Sequence, residues 1–533
     1  MGVFKSFWGS KKKPNAKESS SNSDNSWLPQ NLSNDLSRNI EMIKKAMGYA
    51  SDILVREFTI ASNIETKAAV IAIKGLTKND LINEQVLGSL MLDAKFKNTK
   101  KAKDLFEQIK QYSMPNLYVK EEVNVGNTVS ELISGNSILF LDGINKALIA
   151  GSQGWKERQV SQPITENVVR GPRDGFTENI ESNVALIRRR IKSPDLRVES
   201  FKTGTRTKTD LYIVYLNGVV KNEVVDEVKN RLKRIEIDGV LESGYIEELI
   251  EDNPFSPFPQ MEHSERPDKV SAAILEGRVA ILVDTTPFVL MVPTVFFQFL
   301  QSADDYYERY LIGSLTRVVR IVAYFISVVL PALYIALTSF HQEMIPTPLA
   351  LSLAASREGV PFPSIGEALI MEAIFEILRE ASLRLPQQTG QAVSIVGGLV
   401  IGQAAVQAGI VSQVMVIIVA LTGISSFAIP AFNAAASGRL LRFPLMLLAS
   451  ILGLAGILLG LSIILIHLSS LRSFGVSYLD PFVSSNSNTL NDTVVRNPWW
   501  LMHHLPGIIS RKRMLRMRPG MKPGPRASSR KKQ

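Results

Sequence analysis

The sequence predicts an α/β module in the N-terminal half of the chain, followed by an α-helical domain that crosses a membrane several times. The 54 residues Leu385–Gly438 contain no charged side chain, whereas one bilayer-spanning helix needs only about 20 apolar residues. Two more uncharged segments, Ile321–Phe340 and Phe443–Leu471, flank this run. Residues 46–275 instead carry charges throughout, among periodic apolar positions, which is typical of domains folded in water.

The uncharged run is long enough for two spans. Residues Ala408–Gln413 interrupt it near the middle, so we interpret it as a helical hairpin. Residues Ser437–Arg442, with two arginines, then form the next loop. We therefore expect four spans, at about 318–340, 390–411, 413–436 and 443–468.

The chain divides into five parts. The first 45 residues combine Lys11–Lys13 with a Ser/Asn-rich tract, and this polar, basic composition predicts a disordered lead without a secretory signal. The other parts are two α/β subdomains, a membrane domain and a basic tail, at residues 46–150, 151–300, 301–472 and 473–533.

A recurring pattern supports the two subdomains. Gly135–Asp142 and Gly277–Asp284 share the spacing from glycine to aspartate across an apolar run, and a second apolar run follows each after turn residues. Such pairs are typical of β-hairpins. We expect matching hairpins, one in each subdomain.

Two amphipathic helices are expected before the uncharged run, at about 348–358 and 364–384. In the second, Ile370 and Ile374 share an apolar face, while Glu372 and Glu376 lie opposite. These carboxylates could belong to a solvated face of a packed helix. They could instead form a ring at the mouth of a cation path.

The first helix of the uncharged hairpin carries two candidate faces. Gly398 and Gly402 belong to a small-residue face suited to close helix packing. A second face carries valines at one end and glutamine side chains at the other. If copies of the chain formed a ring, this face would line a pore with a hydrophobic constriction. The alternative is that these residues are buried in ordinary helix packing. This candidate pore-lining set is Val393, Val396, Val400, Gln403 and Gln407.

Glycines and prolines mark other helix contacts. Gly456 and Gly460 are four residues apart in the last span, and we assign them to helix packing. Pro331 and Pro430 lie inside spans, where each frees a backbone carbonyl and predicts a kink.

Charge predicts the orientation. No acidic residue follows Asp492, and this tail carries eleven cations. Short basic segments near spans stay in the cytoplasm, so an even number of spans places both termini there. The tail is expected to contact anionic lipids or water; no aromatic residues alternate with its cations in the way that nucleic-acid binding favours.

A proline-rich segment, 253–268, lies within the second subdomain, ahead of the membrane domain. Pro254, Pro257 and Pro259 exclude a helix, and we expect an extended strap that couples the two domains, with Glu265 and Arg266 at its end.

Several segments resemble the A subunits of GerA-type spore germinant receptors. The matching stretches, in chain order, are Arg170–Phe176, Arg206–Asp210, Phe258–Gln260, Glu265–Asp268, Glu343–Thr347, Ala355–Pro361 and Gly390–Ser394. Together they span about residues 50 to 485, outside the polar lead and the basic tail.

The resemblance implies a place in the inner membrane of a bacterial spore. There, A subunits act with a transporter-like B subunit, which would hold the nutrient, and a lipoprotein C subunit. The resemblance also implies that A subunits form a homo-oligomer around an ion pore that opens in germination.

Enzymatic patterns are weak. The chain has no P-loop or His-Glu-x-x-His motif and no cysteine, so we expect neither catalysis nor a cofactor or metal. Three functions stay open: a pore-forming receptor subunit, a scaffold for the transporter-like partner, or a transporter. Inverted repeats with ionisable groups at the midplane, which a transporter would need, are not evident.

Cysteine labelling tests the topology. Because the chain has no native cysteine, single cysteines at Ser200, Gln342 and Pro525 can be labelled selectively from either side of the membrane. We expect Ser200 and Pro525 positions to react only from the cytoplasmic side, and the Gln342 position only from the opposite side. Labelling of position 525 from outside would establish an odd number of crossings.

Overall fold

The computed structural model describes residues 31–60, 66–77, 90, 102–112, 119–154, 163, 165–385, 397–398, 400–482, 492–507, 509–510 and 515–524. They form two α/β subdomains and a bundle of helices.

The first subdomain is a five-stranded antiparallel sheet with strand order β1-β2-β4-β5-β3. Its strands are β1 Ile53–Thr59, β2 Lys67–Ile73, β3 Val119–Glu122, β4 Ser137–Leu141 and β5 Ala147–Ala150. Its helices are α1 Leu36–Ala46, α2 Ala102–Tyr112 and α3 Val125–Ile133.

The second subdomain repeats this sheet with the order β6-β7-β9-β10-β8. Its strands are β6 Leu196–Thr203, β7 Thr209–Leu216, β8 Glu262–Ser264, β9 Val279–Val283 and β10 Val289–Val292. Its helices are α4 Ile180–Arg190, α5 Asn222–Lys233, α6 Ser243–Ile250 and α7 Pro267–Leu275.

The two matching hairpins are present as β4–β5 and β9–β10. The aspartate that ends each motif also accepts a hydrogen bond from the first amide of a helix, which the glycine-to-aspartate spacing did not predict. Asp142 Oδ1 accepts the Leu36 amide at the start of α1 (3.2 Å), and Asp284 Oδ1 accepts the Ile180 amide at the start of α4 (3.2 Å). Each carboxylate therefore stabilises the positive end of a helix in its own subdomain.

Helix α1 corrects the predicted disordered lead, because it begins at Leu36, inside residues 1–45. Asp35 caps it by accepting the amides of Ser37 and Arg38, and Leu36, Ile40 and Ile43 are buried. The polar composition around this short segment concealed its helical spacing.

The helical bundle begins with α8 Tyr310–Ser339, and its other described helices follow in chain order. They are α9 Thr347–Arg357, α10 Ser364–Arg384, the helical residues 400–407, α11 Gln413–Phe427, α12 Phe432–Leu452 and α13 Leu454–Ser470. We call the end beside the α/β module proximal and the other end distal. At the distal end Thr338 Oγ1 of α8 lies 2.9 Å from Ser364 Oγ of α10, so these helices are antiparallel.

Among the described residues, α8 and α12 are long and apolar enough to cross a membrane, while α11 and α13 are apolar but shorter. The loop predicted at Ser437–Arg442 is wrong, because α12 continues through it. The chain instead breaks at Gly453, whose φ of 60° favours glycine. The second amphipathic helix, α10, packs on α8, α11 and α12, as expected for a packed helix, but its Glu372 is buried and not solvated.

A buried arginine explains both corrections. Pro331 has no amide hydrogen, so the carbonyl of Ser327, one turn earlier in α8, lacks its helical donor. Arg442 Nε of α12 donates to this carbonyl at 2.8 Å, and its Nη1 pairs with Glu372 of α10. Both side chains are at most 1% exposed. One guanidinium therefore joins three helices, and Arg442 belongs inside a helix.

We expect Arg442→Met to destabilise the bundle. The change leaves a buried, unpaired Glu372 carboxylate and should lower the free energy of unfolding by about 3–5 kcal/mol. Thermal unfolding of the purified full chain in detergent measures this.

The control is Arg384→Met, since Arg384 is 78% exposed and pairs with Glu380 on its own helix; its loss should cost less than about 0.5 kcal/mol. Adding Glu372→Met to Arg442→Met should restore part of the stability, because no lone charge then remains buried, although the Ser327 carbonyl still lacks a donor. Equal effects of the two arginine variants would contradict a structural task for the buried pair.

Candidate functional site

The junction between the α/β module and the bundle is formed by the strap. Two backbone carbonyls of the strap accept hydrogen bonds from side chains that follow the α/β module in the chain. Ser437 Oγ of α12 donates to Pro257 O, and Tyr478 Oη donates to Pro259 O at 2.6 Å. Ser256 Oγ lies 2.9 Å from His467 Nε2 of α13, and Phe258 is 2% exposed. The strap is therefore fixed to two bundle helices.

The extended part of the strap is shorter than predicted. Residues 262–264 form β8 and Pro267 begins α7. Glu265 and Arg266 lie within the module, where Phe176 N donates to Glu265 O (2.7 Å) and Arg266 Nη2 donates to Pro172 O (3.1 Å). These two residues hold the 165–176 segment onto the second sheet, while Pro257 upstream contacts the bundle.

The candidate pore-lining residues fall in two groups. Val393 and Val396 lie outside the described residues. Val400 is 54% exposed, and Gln403 and Gln407 are exposed beside it. Their spacing of three and four places them on one helix face. The single chain thus leaves two amides and a valine on an outward face of the bundle.

The glycines of the helix-packing set differ in their surroundings. A Cβ on Gly456 would lie 2.1 Å from Leu448 O, and one on Gly460 would lie 2.4 Å from Leu445 Cδ2. These two glycines permit α13 to approach α12. A Cβ on Gly402 would contact Val416 of α11 at 3.4 Å. A Cβ on Gly398 would have no atom of the described residues within 4 Å.

The two candidate pore-mouth glutamates form ion pairs. Glu372 is buried with Arg442, which excludes a solvated position for it in this chain. Glu376 Oε1 lies 3.3 Å from Arg439 Nε, and its Oε2 lies 3.9 Å from Arg379 Nη1. One carboxylate therefore serves two guanidinium groups.

A buried charge cluster at the start of α8 was missed by the sequence patterns. Asp305 pairs with Arg320 (2.7 Å) and Arg317 (3.4 Å), and Arg317 Nη1 donates to Asp492 O at 2.6 Å. Burial raises the pKa of the Asp492 carboxyl, and the Arg317 guanidinium opposes that rise. The only sequence signal was the pair of arginines one turn apart, close to an apolar run.

Part of the basic tail packs on this cluster. Arg496 is 2% exposed, donates to Glu308 O at 2.8 Å and lies over the Tyr306 and Trp499 rings. Arg516 pairs with Glu276 of the module at 2.6 Å. The expectation of a solvated or lipid-bound tail is therefore wrong for these two arginines.

Among the residues that the structure describes, no group of three His, Asp or Glu side chains is arranged to hold a metal ion. The site is thus a mechanical junction of strap, helices and ion pairs, with an outward amide face on the helical residues 400–407.

Known proteins resemble this chain over most of its length. Spore germination protein KA of Bacillus subtilis (strain 168) is 48% identical over 500 residues, which cover 94% of this chain and 91% of that protein. The uncharacterized membrane protein YfkQ of the same strain is 46% identical over 480 residues (90% and 92%), and spore germination protein GerLA of Bacillus cereus is 37% identical over 481 residues (90% and 97%).

A solved structure also matches. The N-terminal domain of the A subunit of the Bacillus megaterium spore germinant receptor GerK3 is 40% identical, with a TM-score of 0.40, and the match covers 50% of this chain and 98% of that chain. The family model described as Bacillus/Clostridium GerA spore germination protein matches residues 41–508. The chain therefore belongs to the GerA family of spore germination proteins.

Proposed function

We propose that this chain is the A subunit of a nutrient germinant receptor in the spore inner membrane, and that copies of it form a nutrient-gated ion channel with B and C partner subunits. Family membership and the names of its relatives support the receptor role. The observation that carries the channel is the outward face of Val400, Gln403 and Gln407.

The physical reason is the cost of an exposed amide in hydrocarbon. A glutamine amide without a hydrogen-bond partner in an apolar medium costs several kcal/mol. On a bundle inside a membrane, Gln403 and Gln407 therefore need another protein surface or water. A ring of copies around an aqueous axis supplies both, with Val400 next to the amides as an apolar constriction.

This proposal gives α10 a place across the membrane. Its start lies beside Thr338 at the distal end, and Arg379, near its other end, lies 5.3 Å from the Phe432 ring at the proximal end. Glu372, which lies near the middle of α10, is neutralised by its buried ion pair with Arg442, so its charge does not exclude α10 from the membrane. Both termini then lie in the cytoplasm, because α8, α10, the hairpin of 400–407 with α11, α12 and α13 make six crossings.

The scaffold is the second candidate, because the same amide face could bind a transporter-like partner without enclosing a pore. The channel predicts that shortening the Val400 side chain causes an ion leak, whereas the scaffold predicts no leak.

We expect Val400→Ala to cause a leak. A wider constriction is easier to wet, so spores should lose ions early, germinate without nutrient, or fail to complete dormancy. Since Val400 is exposed in the single chain, the change leaves no cavity in the bundle and protein level should stay normal. Ion release from spores and immunoblotting measure the two quantities.

Two variants serve as controls for Val400→Ala. Gln403→Leu should oppose the leak, because it replaces the amides next to Val400 with apolar side chains and so makes the proposed pore harder to wet. Gly456→Ala should instead lower protein level, because the new methyl group meets the backbone of Leu448. Reduced abundance and response of Val400→Ala, with no leak, would favour the scaffold.

Replacing Pro254–Pro259 with a flexible Gly/Ser segment should separate folding from signalling. The replacement removes the buried Phe258 ring and the fixed path of the strap, so we expect normal membrane insertion with a weakened germination response. As a matched control, Phe255, which is 97% exposed, can be changed to Ser alone without effect. Unchanged germination kinetics of the flexible variant at normal protein level would show that the strap is only a tether.

A further inference from the structure

A cavity of about 460 Å³ lies where the second sheet meets the proximal ends of α10, α11 and α12. One wall comes from the α/β module, including Glu166 and Lys269, and the other from the helices, including Arg379 and Phe432. Its volume is within the range of sites for small ligands.

The helical wall is cationic. Arg379 is 9% exposed by side chain, and its guanidinium lies over the rings of Phe427 (5.8 Å) and Phe432 (5.3 Å). Its nearest acid is Glu376 at 3.9 Å, which is also the partner of Arg439. Two cations share one carboxylate, so a positive charge remains at the cavity, and Arg379 makes no hydrogen bond to another described residue.

The start of α12 adds to this charge. The helix follows Ala431 without a side-chain cap, and Phe432 and Asn433, its first two residues, line the cavity. The first amides of a helix lack partners within it and carry the positive end of the helix dipole. Free amides beside a buried guanidinium form an arrangement that binds phosphate and carboxylate groups.

The opposite wall does not repel an anion. Lys269 Nζ lies 2.8 Å from both Glu166 and Glu262, and Arg278 Nη1 lies 3.7 Å from Glu262. Burial, with a smaller contribution from Lys269, lowers the pKa of His263, so that its imidazole is neutral. Each carboxylate on this wall already has a cation.

The remaining lining is apolar. Phe288 and Phe299 face it from the module, and Leu383 and Ile429 face it from the helix ends. A free inorganic anion would leave these surfaces unused, whereas an anion with an attached hydrocarbon part would cover them.

We propose that this cavity binds an acidic amphiphile, with its phosphate or carboxylate group at Arg379 and the first amides of α12 and its apolar part among the phenylalanines. The ligand is either an acidic membrane lipid, since the proximal end would lie at the membrane surface, or a soluble carboxylate with a hydrocarbon chain. This binding does not depend on whether the chain forms a pore.

The test uses the purified full chain in a neutral detergent. Its melting temperature is followed during titration with dihexanoyl-phosphatidylglycerol, dihexanoyl-phosphatidylcholine, octanoate or inorganic phosphate. We expect stabilisation by phosphatidylglycerol or octanoate, and the tighter of the two identifies the source as lipid or soluble acid. Equal stabilisation by phosphatidylcholine, or by phosphate alone, would overturn the proposal.

Variants locate the binding. Arg379→Gln should weaken it at least about tenfold, the loss of one charge-assisted hydrogen bond. Arg384→Gln is the matched control, because Arg384 is on the same helix but exposed; it should bind like the unchanged chain. Equal weakening by both variants would place the binding on the surface and contradict the cavity.

A second variant covers the case in which Arg379→Gln does not fold. Asn433→Asp places a carboxylate at the start of α12, where negative charge stabilises a helix, and this carboxylate occupies the anion position. We expect it to fold and to lose binding. Undiminished binding by Asn433→Asp would show that the start of α12 is not part of the site.

Discussion

The hydrogen bond from Arg442 to the Ser327 carbonyl determines how the bundle is assembled. Pro331 leaves that carbonyl without a helical donor, and Gly438 lets α12 come close enough for Arg442 to reach it, since a Cβ there would meet Val328 at 3.2 Å. A buried guanidinium needs a carboxylate. Glu372 of α10 supplies this carboxylate. The ion pair therefore allows α10, despite its charged residues, to pack against the more apolar helices α8 and α12.

The same helix links this buried pair to the module. Ser437, five residues before Arg442, donates to the carbonyl of Pro257 in the strap. The cluster of Asp305, Arg317 and Asp492 fixes the start of α8, which carries Ser327 further along. The strap therefore contacts α12, and the residues that follow the second subdomain hold the start of α8, so both helices that meet at the proline-freed carbonyl are attached close to the module. These contiguous contacts form a physical path between the two parts of the molecule, and a loss of the nutrient response in the flexible-strap variant would show that the path couples them.

Local patterns in the sequence predicted what local forces determine. The two hairpins follow from alternating apolar residues between glycine turns, and the apolar helices follow from composition. Arg442 was assigned to a loop because charge near apolar runs usually marks an exposed turn. Its partner Glu372 is 70 residues away, and no local pattern connects them. The capping tasks of Asp142 and Asp284 were missed for the same reason, as each contacts a helix more than 100 residues earlier.

The ion pairs also limit how the proposed pore could select ions. Glu372 is neutralised by Arg442, and Glu376 is shared by two arginines, so neither has a free negative charge to offer a cation. The outward face itself contributes only a valine and two amides. Uncharged amides can solvate ions of either sign, through the carbonyl oxygen or the amide hydrogens. A pore on this face would therefore gate by wetting at Val400, while charge selection would depend on groups at the ends of the bundle or on partner subunits.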